Sequence, residues 1–155
     1  MHALASGLAG ATALTTLHEI ARQVIHDAPR MDVVGMRGVA RLCQLGGFEP
    51  PKPHQLYTLT MVGDVLSNGI YYAAVPGDSR TATWMRAVTL GLAAGIGAVL
   101  LPEPLGLGKP PHAERTRTRV LTVAWYLTGA LVAAAMADVN APDRSASRSI
   151  QPKAI

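Results

Sequence analysis

Residues 87–101 read AVTLGLAAGIGAVLL, a run without a charged side chain that is too long and too apolar for a strand. With the residues before it, the run extends over 81–101, close to the roughly 20 residues a helix needs to cross a bilayer's hydrocarbon. Working outward, 3–25, 54–76 and 119–139 have the same character, and QLYTLTMVGDVLSNGIYYAAV (55–75) lacks strand alternation. Prolines stand between the stretches: Pro29, then Pro50, Pro51 and Pro53, then Pro76, then Pro102 and Pro104, with Pro142 after the last. Proline cannot continue a helix through these points. The expected fold is all-α: a polytopic membrane four-helix bundle forming one domain over 1–139, followed by a flexible tail over 140–155.

Composition supports this. The 155 residues are 49% hydrophobic and 15% charged, against about 25% charged in soluble domains. The charges are unevenly spread, since the four stretches contain only Glu19, Arg22, Asp64, Arg86, Arg119 and Asp138. A soluble helical bundle is the remaining alternative. One cysteine, Cys43, excludes an internal disulfide and any multi-cysteine metal site. The net charge of +4 comes from scattered residues without a run that could track a phosphate backbone, so nucleic acid is not expected as a partner. The first stretch has no basic residue before it and no clear cleavage site, so it reads as retained and not as a cleaved signal peptide.

Residues 31–45, MDVVGMRGVARLCQL, place Arg37, Arg41 and Gln44 at i, i+4 and i+7 against an apolar face. That is an amphipathic helix, too short to span, expected flat in the membrane interface with Arg37 and Arg41 toward lipid head groups. The competing reading is a helix capping the end of the bundle. Trp84 and Trp125, with Tyr71, Tyr72 and Tyr126, read as interfacial aromatic anchors. The first and third connections carry eight Lys and Arg residues, counting Arg119, while the other side carries Arg80, Arg144, Arg148 and Lys153. The positive-inside rule then puts both termini outside the cytoplasm.

Charges are costly in hydrocarbon and face the protein interior when they occur there. In the first stretch Thr12, Thr15, Thr16, Glu19, Arg22, Gln23 and His26 fall within about a third of the helix circumference. In the second, Tyr57, Thr60, Asp64, Asn68 and Tyr71 share a face, and the third contributes Arg86. Glu19, Arg22, Asp64, Asn68 and Arg86 are therefore expected to form an intramembrane polar cluster, with Glu19 and Asp64 as proton- or cation-binding carboxylates. The bland counterpart is a set of pairs that fixes helix register. His18 reads as lying off the polar stripe. Positions 18–22 are His-Glu-Ile-Ala-Arg, not the two-histidine zinc pattern, and the five histidines sit in separate segments, so neither a metal nor another cofactor is expected. No nucleophile elbow, P-loop or dinucleotide fingerprint occurs. Small residues recur one turn apart at Ala3, Gly7 and Ala11, at Gly91 and Gly95, and at Gly129, Ala133 and Ala137, letting helices approach closely.

The segments GATALTTLHE (10–19), APRMD (28–32), GMR (35–37), LGLG (105–108) and LTVAWY (121–126) resemble a family of small uncharacterised bacterial four-helix integral membrane proteins, over most of the chain. The resemblance implies a bacterial inner-membrane location and transfers no catalytic residue. The leading expectation is a non-enzymatic accessory or structural subunit of a membrane assembly, whose partners are the bilayer and other membrane subunits or its own copies. The alternative is a small transporter or proton/ion-conducting protein using Glu19, Asp64 and Asn68. A lipid-modifying enzyme using Glu19, His18 or His26 is a third possibility.

Overall fold

The structure, a computed structural model, describes residues 2–140. The expected tail after Asn140, and with it Arg144, Arg148 and Lys153, lies outside the described residues. Five helices follow in order: α1 (His2–Val24), α2 (Met31–Leu45), α3 (Pro53–Tyr72), α4 (Arg80–Leu100) and α5 (Thr116–Val139), with no strand among the described residues. The starts and stops are local chemistry. Pro53 supplies the preset φ of a first turn, and the Ser79 hydroxyl accepts the Ala82 amide at the head of α4. The second expected stretch ends early because Ala73–Pro76 turns away ahead of a proline.

The major helix pairs are α4 with α5, α5 with α1, α1 with α3, and α3 with α2. The close pairs are built on glycine. A Cβ on Gly7 would stand 2.6 Å from the Ala73 amide nitrogen and run into the Gly69 carbonyl; one on Gly95 would stand 2.6 Å from the Val123 Cα. Gly10 and Gly129 meet backbone to backbone where α1 crosses α5. The core follows: Ala11, Leu14, Tyr72, Ala87, Ala130, Ala133 and Ala134 are buried along these seams. The Tyr72 hydroxyl donates to the Tyr126 carbonyl at 2.8 Å, tying α3 to α5.

Outward faces are apolar. Leu59, Val62, Leu66 and Ile70 on α3, and Met85, Val88, Leu92, Ile96 and Leu100 on α4, are exposed in helical stripes. Soluble monomers rarely show contiguous apolar surface of that extent. Two helices, α4 and α5, are long and apolar enough to cross a membrane. The sequence suggested four such helices. α1 and α3 fall short because their inner faces carry His18, Glu19, Arg22, Asp64 and Asn68.

The aromatic residues correct an expectation. Trp125 is 6% exposed, and Tyr72 and Tyr126 are buried as well. α5 is flanked by α1 and α4, so its aromatic face fills the core instead of anchoring at an interface. Trp84 is half-buried, and its indole donates to the Asp138 carboxylate at 2.8 Å, which also accepts from Arg80 at 3.1 Å.

Candidate functional site

A cavity of about 320 Å³ lies between α1, α2 and α3. α1 lines it with Thr15, His18, Glu19 and Arg22; α3 with Thr60, Met61, Gly63, Asp64 and Ser67; α2 covers it with Met31, Asp32, Gly35, Gly38, Val39 and Leu42. α2 comes close because Gly35 leaves room for Thr60, whose Cγ2 would be 2.5 Å from a Cβ there.

Asp64 lies eleven residues into α3, about 16 Å along its axis. Its carboxylate accepts the Thr15 hydroxyl at 2.8 Å and the Asn68 side-chain amide at 2.9 Å. No cationic side chain lies within ion-pair distance of it among the described residues. The Thr60 hydroxyl, one turn away, has no hydrogen-bond partner although Thr60 is only 5% exposed. The His18 Nε2 is likewise buried and unpartnered, its ring packed edge-on against Trp125 at 4.9 Å.

The carboxylates nearer the α2 side are all paired. Glu19 meets Arg22 at 2.7 Å, Asp32 meets Arg30 at 2.8 Å, and Arg22 also reaches Asp32 at 3.8 Å. The Arg22 guanidinium stands 5.3 Å from the Tyr57 ring centre, where the ring's negative face attracts it. Burial of Asp32 would raise its pKa, but the hydrogen bonds from Arg30, its charge, the Val33 amide and Arg22 outweigh that and hold the carboxyl below its ordinary value. Asp27, in the turn after α1, is also held low, chiefly by its bond to Arg115 at the head of α5.

Of the residues expected to converge, Glu19, Arg22 and Asp64 line the cavity and Asn68 orients Asp64. Arg86 does not join them. It sits on α4, which packs against α5, and it is exposed with its guanidinium donating to the Pro76 carbonyl at 2.8 Å. Arg37 and Arg41 are exposed, and Arg37 donates to the carbonyls of Leu107 and Lys109 at 3.1 and 3.0 Å, while Arg41 lies over Gly106. These contacts brace α2 against the 101–109 connection across the end of the helices.

The sequence placed His18 off the polar stripe, whereas it belongs to the same arc as Thr15 and Arg22. Thr60 lay on the expected α3 face, and Asp32 went unassigned because α2 folds back over α3, which no periodicity encodes. Farther along the same two helices, Gly69 packs on Leu8 and Gly7 on Ala73. No metal-binding group of three or more His, Cys, Asp or Glu occurs among the described residues. No family model, curated protein or solved structure matches this chain.

Proposed function

We propose that this chain is a small multi-pass protein of the bacterial inner membrane that binds a cation, a proton included, at Asp64 and moves it across the bilayer. In this reading α1 and α3 cross beside α4 and α5, both termini face away from the cytoplasm, and α2 lies at the cytoplasmic surface. The observation that carries the reading is Asp64: a carboxylate about midway along α3, on a cavity, hydrogen-bonded to two neutral groups and lacking a counter-charge among the described residues. An ionised carboxylate removed from water is costly unless a cation accompanies it. The described residues supply none within reach, so in this reading the balancing charge comes from a bound cation or a proton.

The arrangement is one-sided: Glu19, Arg22 and Asp32, paired with one another, stand toward the α2 end. The accessory-subunit reading is less favoured, because the small-residue faces that could dock a partner are occupied within the chain: Gly7 by α3, Gly10 and Gly129 by each other's helices, Gly91 and Gly95 by α5.

The test is ion movement in proteoliposomes with an entrapped pH indicator and a clamped membrane potential. Wild type is expected to carry protons or an added cation at least tenfold faster than Asp64→Asn, which keeps the size and most hydrogen bonds of the side chain. Equal flux in the two proteins, or no flux above empty vesicles, removes the proposal.

A further inference from the structure

We infer that the ligand of this cavity is an amphiphilic organic monocation, with its ammonium group against Asp64 and its apolar body against Met31, Val39, Leu42 and Met61. The inference rests on reading the cavity as a cation site and adds the chemical class.

Size comes first. Water occupies roughly 30 Å³ in the liquid, so about 320 Å³ is far more space than a proton or a bare alkali ion needs. The lining comes second. Half of the sixteen lining residues are polar or charged, yet most of the surface that the wall exposes is apolar, Met31, Val39, Leu42 and Met61 contributing to it. A ligand that fills it must itself carry apolar surface. Charge count is third. Glu19 and Asp32 are already matched by Arg22 and Arg30, leaving Asp64 as the one cavity carboxylate without a cationic partner among the described residues. One positive charge on the ligand completes the site, and a second would be unpaired.

The residue before Asp64 is Gly63, which adds no bulk: a Cβ there would meet nothing within 4 Å.

The experiment uses the full chain in phosphatidylcholine nanodiscs and titrates phenethylammonium against 2-phenylethanol by calorimetry at pH 7. The alcohol is nearly the same size and shape but has no charge. Expected are one saturable phenethylammonium site per chain, binding of the alcohol at least tenfold weaker, and at least a tenfold loss for the amine in Asp64→Asn. Circular dichroism confirms that the variant is folded; if Asp64→Asn unfolds, the amine-to-alcohol ratio in wild type still decides. Equal binding of amine and alcohol, or an amine site indifferent to Asp64, overturns the inference. Asp64-dependent ion flux without amine binding overturns the ligand class and leaves the cation reading intact, whereas loss of both removes both.

Discussion

Replacing Gly7 by alanine puts a methyl carbon 2.6 Å from the Ala73 amide nitrogen and closer still to the Gly69 carbonyl oxygen. Both are main-chain atoms, so no side-chain rotation relieves the clash. Comfortable nonbonded contacts between heavy atoms begin near 3.5 Å, so α1 and α3 must separate by more than an ångström along a seam that also seats Leu8 on Gly69. Overpacking of this kind costs about 1–3 kcal/mol, and a backbone-to-backbone contact belongs at the upper end. Gly63→Ala is the same chemical change on α3 with nothing within 4 Å of the new carbon. It gains the helix propensity of alanine over glycine, up to about 1 kcal/mol. The two variants should therefore differ by about 3 kcal/mol, or more than a hundredfold in the unfolding equilibrium at 1.4 kcal/mol per tenfold. Equilibrium unfolding in mixed detergent micelles, followed by helical circular dichroism, measures both. If Gly7→Ala is as stable as wild type, or if both variants are destabilised alike, the close α1–α3 seam is wrong.

Arg86→Gln should leave cation flux within about twofold of wild type, because Arg86 faces the Pro76 carbonyl and not the cavity; a tenfold loss would restore it to the site. The docking of α2 should be acid-labile: Asp32 has a folded pKa below its unfolded value near 4, so its ion pairs stabilise fully above about pH 4 and lose that contribution as pH falls through the folded value. An environment-sensitive dye on Cys43 of α2 should report constant docking from pH 5 to 8 and release below pH 4; release beginning at pH 6 would assign the change to another group. Gly106 has φ +72°, a conformation that costs an L-residue about 1–2 kcal/mol. Gly106→Ala should lower the melting temperature by a few degrees, and an unchanged melt would show that the 101–109 connection does not hold α2.

Helix positions were legible in the sequence because the borders are prolines and polar clusters, whose effects are local. The amphipathic stretch 31–45 coincides with α2, and the four longer stretches match α1, α3, α4 and α5 to within a few residues. The polar site was legible where it lay along a single helix: Glu19 with Arg22 at i+3, and Asp64 with Asn68 at i+4. It was misread in azimuth. On an ideal helix Thr15, His18, Glu19 and Arg22 span about 100°, and this arc, not one containing Thr12, Thr16 and Gln23, faces the cavity. Hydrophobicity could not separate these arcs, since exposed Thr12 and Thr16 are as polar as inward Thr15. Arg86 and Trp125 were misplaced for a tertiary reason. Which neighbour a helix acquires is fixed by glycine seams between segments distant in sequence, and those put α5 in the middle with α4 packed on it, while α4 meets α3 through the Tyr71 hydroxyl on the Leu90 carbonyl.

The protein treats its charges in two ways, and the difference bears on Asp64. Toward each end of the helices, cation and anion meet: Arg22 with Glu19, Arg30 with Asp32, Arg115 with Asp27, and Arg80 with Asp138. Such pairs need little from the interior, because water or head groups share the solvation of side chains that remain partly exposed. Among the described residues the Asp64 carboxylate has only the Thr15 hydroxyl and the Asn68 amide, both neutral. If its purpose were to tie α1 to α3, an asparagine would accept the same Thr15 hydrogen bond through its own carbonyl oxygen without a buried charge to solvate. An aspartate costs more at this position and returns more only when its charge is used, by a proton or by a cation arriving through the cavity beside it. Asp64→Asn is thus the discriminating change: stability preserved and ion movement lost marks a binding carboxylate, while stability and ion movement both unchanged marks a structural one.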